Sequence, residues 1–254
     1  MELARTDFTR LRDALGENTR TVIPFHFLKH DGARAWADER FENAVIFTGP
    51  IKRMVFVYGD DADWQVELLG GLEWLGMYWC PTDTGEDIHR AVEAKAPVET
   101  LLEPDIQRTV HKHVHVPPPE GVELRRLSQA DLPSIEAAGE ELRWLCNGWQ
   151  RSWEVLLDGG ILVGAIIDGR MVSGAVTFAR AERLDDIGVA TLTEYQGGGL
   201  SSACASAIVA QILAEGRRPV WTVFCSNTPS VRVSEKLGFV TQTECVVIRE
   251  RPQE

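Results

Sequence analysis

The sequence predicts an α/β (α+β) fold in which helices flank a mixed central sheet, and three observations carry that prediction. A β-branched stretch at 187–192 leads through Gly197, Gly198 and Gly199 into a run of small residues with helical spacing. Residues 160–167 and 171–178 read as two strands of a hairpin, with Asp168-Gly169 between them as a type I′ turn signal. A stiff break, Val116-Pro-Pro-Pro-Glu-Gly121, separates two stretches of ordinary globular composition, so the chain divides into residues 1–116, a linker at 117–121, and residues 122–254.

The elements follow in order. Upstream, 44–48, 53–58 and 64–69 read as strands with turns at Gly49-Pro50 and Asp60-Asp61, and 86–96 reads as a helix. Downstream, 122–126 is a strand, and Ser128 with Asp131 forms a capping box that opens a helix through about residue 141. A second helical stretch covers about 147–157, and the hairpin comes next. From Leu200 the apolar or small residues Ala203, Cys204, Ala207, Ile208 and Ile212 share one helical face, and the stripe ends at Gly216. Residues 219–225 read as a buried strand, and 227–237 as a helix stopped by Gly238.

Composition narrows the function. The 254 residues are 44% hydrophobic, enough for a packed core, and carry a net charge of −12. That charge argues against a nucleic-acid or anionic-membrane partner and suits a cationic acceptor. No apolar run approaches the ~18 residues of a spanning helix and the N-terminus has no signal-peptide core, so the expected compartment is the cytoplasm. The five cysteines are scattered without CxxC spacing, which indicates neither a disulfide framework nor a zinc site. His111, His113 and His115 alternate as on one face of a strand, but with no carboxylate or cysteine pattern beside them no metal is assigned. Trp144, Trp149 and Trp153 read as core, with one of them available to line a pocket.

The three glycines are a phosphate cradle. Without Cβ atoms the backbone can turn sharply and bring successive N–H groups to an anion, and the following helix adds the positive end of its dipole. A P-loop is excluded because no Lys follows the glycines, and a dinucleotide fingerprint because no GxGxxG opens a repeating βαβ series.

The stretch Gln196-x-x-Gly199-x-Ser201 resembles the acyl-CoA signature of the GNAT superfamily of N-acetyltransferases, Gln/Arg-x-x-Gly-x-Gly/Ala at the start of a helix. Asn227 through Leu237-Gly238-Phe239 resembles the second GNAT hallmark, an Asn-led helix closing in Leu-Gly-Phe. The surroundings look most like the zwittermicin-resistance type and the glycine N-acyltransferases, two-part families. The resemblance implies a catalytic GNAT domain at 122–254 and a degenerate GNAT-like half at 1–116 that helps wall the acceptor pocket. It implies acetyl-CoA as co-substrate, with Val189, Ala190 and Thr191 receiving the pantetheine arm. Gln196, Gly197, Gly198, Gly199, Leu200, Ser201 and Ser202 take the pyrophosphate, and Asn227 binds the pantetheine amide.

Acetyl transfer from a thioester to an amine needs a base for the amine, donors for the oxyanion and an acid for the thiolate. Counting back from Gln196, Asp185 matches the catalytic glutamate of the glycine N-acyltransferases and Asp186 an acidic residue of the resistance type. Asp185 is the first choice, and the plain alternative is that the pair solvates a strand end. Many GNAT enzymes carry a tyrosine acid seven residues after the Asn, and this chain has Ser234 there, a far poorer proton donor than a phenol. The function expected is direct transfer of acetyl to a small-molecule amine. The alternative is a non-catalytic acyl-CoA binding or sensing protein that has lost the acid.

Overall fold

The computed structural model describes residues 1–51 and 53–252; the last two residues of the predicted 122–254 domain lie outside the described residues. Two compact units form. The first takes Met1–Ile106, Val223–Ser226 and the chain from Thr243 onward, and the second takes Gln107–Thr222 and Asn227–Gln242.

The first unit contains α1 (Phe8–Leu15), α2 (Val22–Phe27), β1 (Arg34–Ala37), β2 (Ala44–Phe47), β3 (Met54–Tyr58), α3 (Ala62–Gly71), β4 (Met77–Cys80) and α4 (Gly85–Glu93), and β5 (Thr100–Val110) begins in it. β1 to β3 pair antiparallel and β3 pairs parallel with β4, so the sheet is mixed. Its core joins Val45, Val55 and Val57 of the strands to Leu69 of α3 and to Ile88 and Val92 of α4. The strand expected at 64–69 is a helix. The Asp61 carboxylate accepts the Trp64 N–H at 2.9 Å and so caps the first turn, and Gln65 and Leu69, four apart, are the residues α3 buries.

The second unit adds β6 (Glu123–Arg126), α5 (Leu132–Glu136), α6 (Trp153–Gly159), β7 (Leu162–Ile167), β8 (Arg170–Arg180), β9 (Leu184–Thr191), α7 (Leu200–Ala214), β10 (Arg218–Phe224), α8 (Thr228–Lys236) and the start of β11 (Phe239–Glu250). Its strands run in the order β6-β7-β8-β9-β10-β5. β9 and β10 are parallel, whereas β6 to β9 are antiparallel neighbours. The hairpin turn forms where expected, with Asp168 at φ 49° and Gly169 at φ 76°, the left-handed pair a type I′ turn requires. The capping box also forms: the Ser128 N–H and hydroxyl reach Asp131 Oδ2 at 2.8 and 3.0 Å.

The boundary set at 117–121 falls inside the second unit, because β5, on the N-terminal side of the prolines, lies next to β10 and Thr109 Oγ1 donates to the Pro219 carbonyl at 3.1 Å. The chain after β5 is then strapped down, with Val114 N–H on the Leu237 carbonyl and both Val116 N–H and the His113 ring on Ser206 Oγ. β5 ends at Val110, so the three histidines follow the strand instead of lining a face of it. The helices expected to about 141 and over 147–157 become α5, a 3₁₀ run Glu140–Trp149, and α6. Gly139 at φ 77° stops the first, and Gln150 and Arg151, both left-handed, precede the last.

Candidate active site

The site is built on the divergence of two neighbouring strands. Among the described residues β9 and β10 pair at only three positions, Leu184↔Arg218, Asp185↔Pro219 and Asp186↔Val220, and both strands run on beyond that point. β9 stays paired to β8 as far as Thr191↔Ser173. In an antiparallel pair alternate residues turn their N–H and C=O toward the partner. Leu192 N–H bonds the Val172 carbonyl, so Ala190 and Gly188 also face β8, and Val189 and Thr191 present their backbone groups to the open edge. Of the three residues expected to receive a pantetheine arm, Val189 and Thr191 therefore have backbone groups to offer, and Ala190 spends its own on the sheet.

Beyond β9 a short 3₁₀ turn, Thr193–Tyr195, leads to the glycines. Gly197 has φ 79° and Gly199, the N-cap of α7, has φ 82°. Those values favour glycine, and a Cβ added at either would meet nothing within 4 Å, so the space above the turn is open. The cap residue contributes no side-chain hydrogen bond to α7, and the first-turn N–H groups of Leu200, Ser201 and Ser202 have no intrahelical carbonyl to bond. An anion fits that arrangement through backbone donors and the helix dipole. α7 is fixed behind it by buried Leu200, Ala203, Cys204, Ile208 and Ile212, and burial pushes the Cys204 thiol up to about 11. Gln196 is exposed and its Nε2 lies 3.3 Å from the Thr191 carbonyl. Asn227 caps α8, its Oδ1 accepting the Ser230 N–H at 3.3 Å.

The two adjacent aspartates point to opposite sides of β9 and have different surroundings. Asp185 is fully buried between two arginines. Arg217 reaches both carboxylate oxygens, Nη2 to Oδ1 at 2.6 Å and Nε to Oδ2 at 2.8 Å, and Arg180 reaches them at 3.1 and 3.2 Å. Arg180 also holds Glu215, and the carboxylates raise its pKa against the opposing effect of burial. Asp185 thus closes the turn between β8 and β9. Asp186, 4% exposed, accepts the Thr222 hydroxyl at 2.8 Å, two residues past the last paired position of β10.

Gly188 lies on the same side of β9 as Asp186, and a Cβ there would sit 3.3 Å from the Trp144 ring. Trp144 is 39% exposed, while Trp149 and Trp153 are core, and the Trp149 indole donates to the Thr177 carbonyl at 2.7 Å. The structure thus separates the three tryptophans that composition treats alike. Trp144 is held by its 3₁₀ run over Gly188.

Ser234 is fully buried on α8. Its hydroxyl donates to the Val231 carbonyl at 2.7 Å and accepts from Arg108 Nη1 at 3.0 Å, and Arg108 also donates to the Phe239 carbonyl at 2.9 Å. The one hydroxyl hydrogen is directed to a backbone carbonyl within its own helix. Thr222 and Arg108 carry no signal in the sequence that marks them as site residues. Thr222 and Arg108 come close to Asp186 and Ser234 from 36 and 126 positions away, a proximity no local motif encodes.

Comparison with known proteins matches this architecture. The GNAT acetyltransferase family model fits residues 28–248. An uncharacterized N-acetyltransferase from Streptomyces virginiae is 30% identical over 97 residues, 38% of this chain and 41% of that relative. The match therefore spans less than half of the relative's length. A GCN5-related N-acetyltransferase-like protein from Streptococcus suis superposes with a TM-score of 0.71 at 19% identity, covering 97% of this chain and 98% of the other. A Drosophila protein superposes with a TM-score of 0.74 at 13% identity, covering 99% and 98%. At these identities the two structures establish a shared fold. Among the described residues no helix is long and apolar enough to cross a membrane.

Proposed function

Because the chain belongs to the GNAT acetyltransferase family, we propose that it transfers the acetyl group of acetyl-CoA directly to a small-molecule amine. The single observation that carries the reading is the early end of the β9–β10 ladder at Asp186↔Val220, next to a glycine turn with open space above it. A parted strand edge supplies backbone donors and acceptors for an amide-bearing arm, and the glycine turn supplies N–H groups for a pyrophosphate. Both features lie in the second unit and are joined by residues 192–196.

In this reading Leu200, Ser201 and Ser202, with the turn Gln196–Gly199, hold the pyrophosphate, and Val189 and Thr191 hold the pantetheine arm. The Val189 N–H is the oxyanion donor. The amine nitrogen attacks the thioester carbonyl carbon, the C–S bond breaks, the amine proton passes to Asp186, and the thiolate takes its proton from solvent. Asp186 is preferred to Asp185 as the base because its neighbour on β10 is a hydroxyl and not a pair of guanidinium groups. Trp144 forms a wall of the acceptor site, where its ring face suits an ammonium group. Asn227 has its Oδ1 engaged as a cap and keeps its amide N–H groups for the pantetheine.

One observation favours a second reading, a non-catalytic acyl-CoA sensor: the Ser234 hydroxyl is committed where many relatives have an acid. Thiol release from acetyl-CoA in the presence of a panel of amines decides between them. Turnover with at least one amine, suppressed in Asp186→Asn, supports the transferase. Tight CoA binding without thiol release from any amine would sink it.

A further inference from the structure

The 3₁₀ run Glu140–Trp149 that carries Trp144 is tied at its exposed end to the turn that opens the cradle. Glu141 Oε1 accepts both the Thr193 N–H and the Thr193 hydroxyl, each at 2.6 Å, across 52 residues of sequence. Thr193 is the first residue of the turn Thr193–Tyr195, whose leading N–H has no carbonyl within its own turn to bond. The turn continues through Gln196, whose N–H bonds the Thr193 carbonyl, into Gly197. The tie is charge-assisted, and the two Thr193 donors lower the Glu141 pKa.

The backbone of the 3₁₀ run is an unusual one. A ten-residue 3₁₀ segment is long for that geometry, and left-handed residues flank it, Gly139 before it and Gln150 and Arg151 after. Its buried side chains Leu142, Leu145, Cys146 and Trp149 fix one face, and Glu141 ties its first turn to Thr193.

We propose that Glu141 is a positioning residue that couples the acceptor wall to the CoA cradle, so that seating of a pyrophosphate on the glycine turn orders the segment bearing Trp144. The inference rests on the reading of that turn as a CoA site. Coupling through a shared element is reciprocal, and a fivefold effect is at the low end of what such links produce.

Amide hydrogen exchange on the full chain, with and without saturating CoA, tests it in wild type, Glu141→Gln and Glu141→Ala. Glutamine keeps a carbonyl oxygen that can accept both Thr193 donors, and alanine keeps none. CoA is expected to slow exchange across 193–200 in all three proteins. It is expected to slow exchange across 140–149 by about fivefold or more in wild type and Glu141→Gln, and not in Glu141→Ala. A purely structural role for Glu141 predicts faster exchange at 140–149 in the alanine variant but the same response to CoA, and that result would overturn the proposal. So would an unresponsive 140–149 segment in wild type. Absence of protection at 193–200 in wild type would overturn the CoA reading together with the coupling.

Discussion

Thr222 Oγ1 donates a 2.8 Å hydrogen bond to Asp186 Oδ1 just past the point where β9 and β10 stop pairing. The bond fixes one carboxylate oxygen at the mouth of the divergence, where transfer is proposed to occur. Asp186→Asn is expected to lower kcat/KM by a factor on the order of 10² to 10⁴ with little change in CoA affinity, the usual worth of a positioned base. Thr222→Val removes the orienting bond while keeping the base and is expected to cost about tenfold in kcat, as for a contribution of about 1.4 kcal/mol. Steady-state kinetics with isothermal titration of CoA separate the two effects.

Asp185→Asn is expected to act on stability. The side chain is fully buried between Arg180 and Arg217, and removing one charge from a buried cluster typically costs about 3–5 kcal/mol. Denaturant unfolding measures that loss. Activity per folded molecule that drops as far as in Asp186→Asn would reverse the assignment of the base.

Gly199→Ala places a side chain at φ 82° in open space, so the cost is backbone strain and no clash. The penalty is about 1–2 kcal/mol. Relief of that strain would rotate the first N–H groups of α7 away from an anion, and CoA binding is expected to weaken about tenfold, measured as Kd by titration calorimetry.

Ser234→Ala is expected to leave kcat unchanged and to lower stability by about 1.5–3 kcal/mol, the worth of a hydrogen bond to a charged group, here Arg108. A large fall in kcat with CoA binding and stability intact would restore the serine as the acid.

The capping box has its own pH signature. The Arg125 guanidinium, helped by Ser128, holds the Asp131 carboxyl at about 2, below its ordinary 3.8. A folded-state pKa below the unfolded one means that the stabilisation is fully present above the unfolded value and is lost as pH falls through the folded one. Wild type is therefore expected to exceed Asp131→Asn in thermal stability above about pH 4, and the gap is expected to close as pH falls toward 2. Melting curves across that range check it.

Elements whose signals are local are legible in the chain. Gly197 and Gly199 take left-handed backbone, Asp-Gly turns a hairpin, Ser128 and Asp131 form a capping box, and the run from Leu200 forms α7, which buries Ser202, Ala205, Ser206 and Val209 besides the apolar stripe. Trp64 to Leu69 misled because a short apolar run suits strand and helix alike, and the Asp61 cap decided the matter. What depends on distant partners came from the three-dimensional fold. It set β5 beside β10, gave Asp185 and Asp186 different surroundings, arginines around one and a hydroxyl on the other, and committed the Ser234 proton to Val231. The physical reason is the same in each case. Backbone conformation answers to neighbours in the chain, whereas the chemistry of a side chain answers to charges and hydrogen bonds brought close by folding from dozens of residues away.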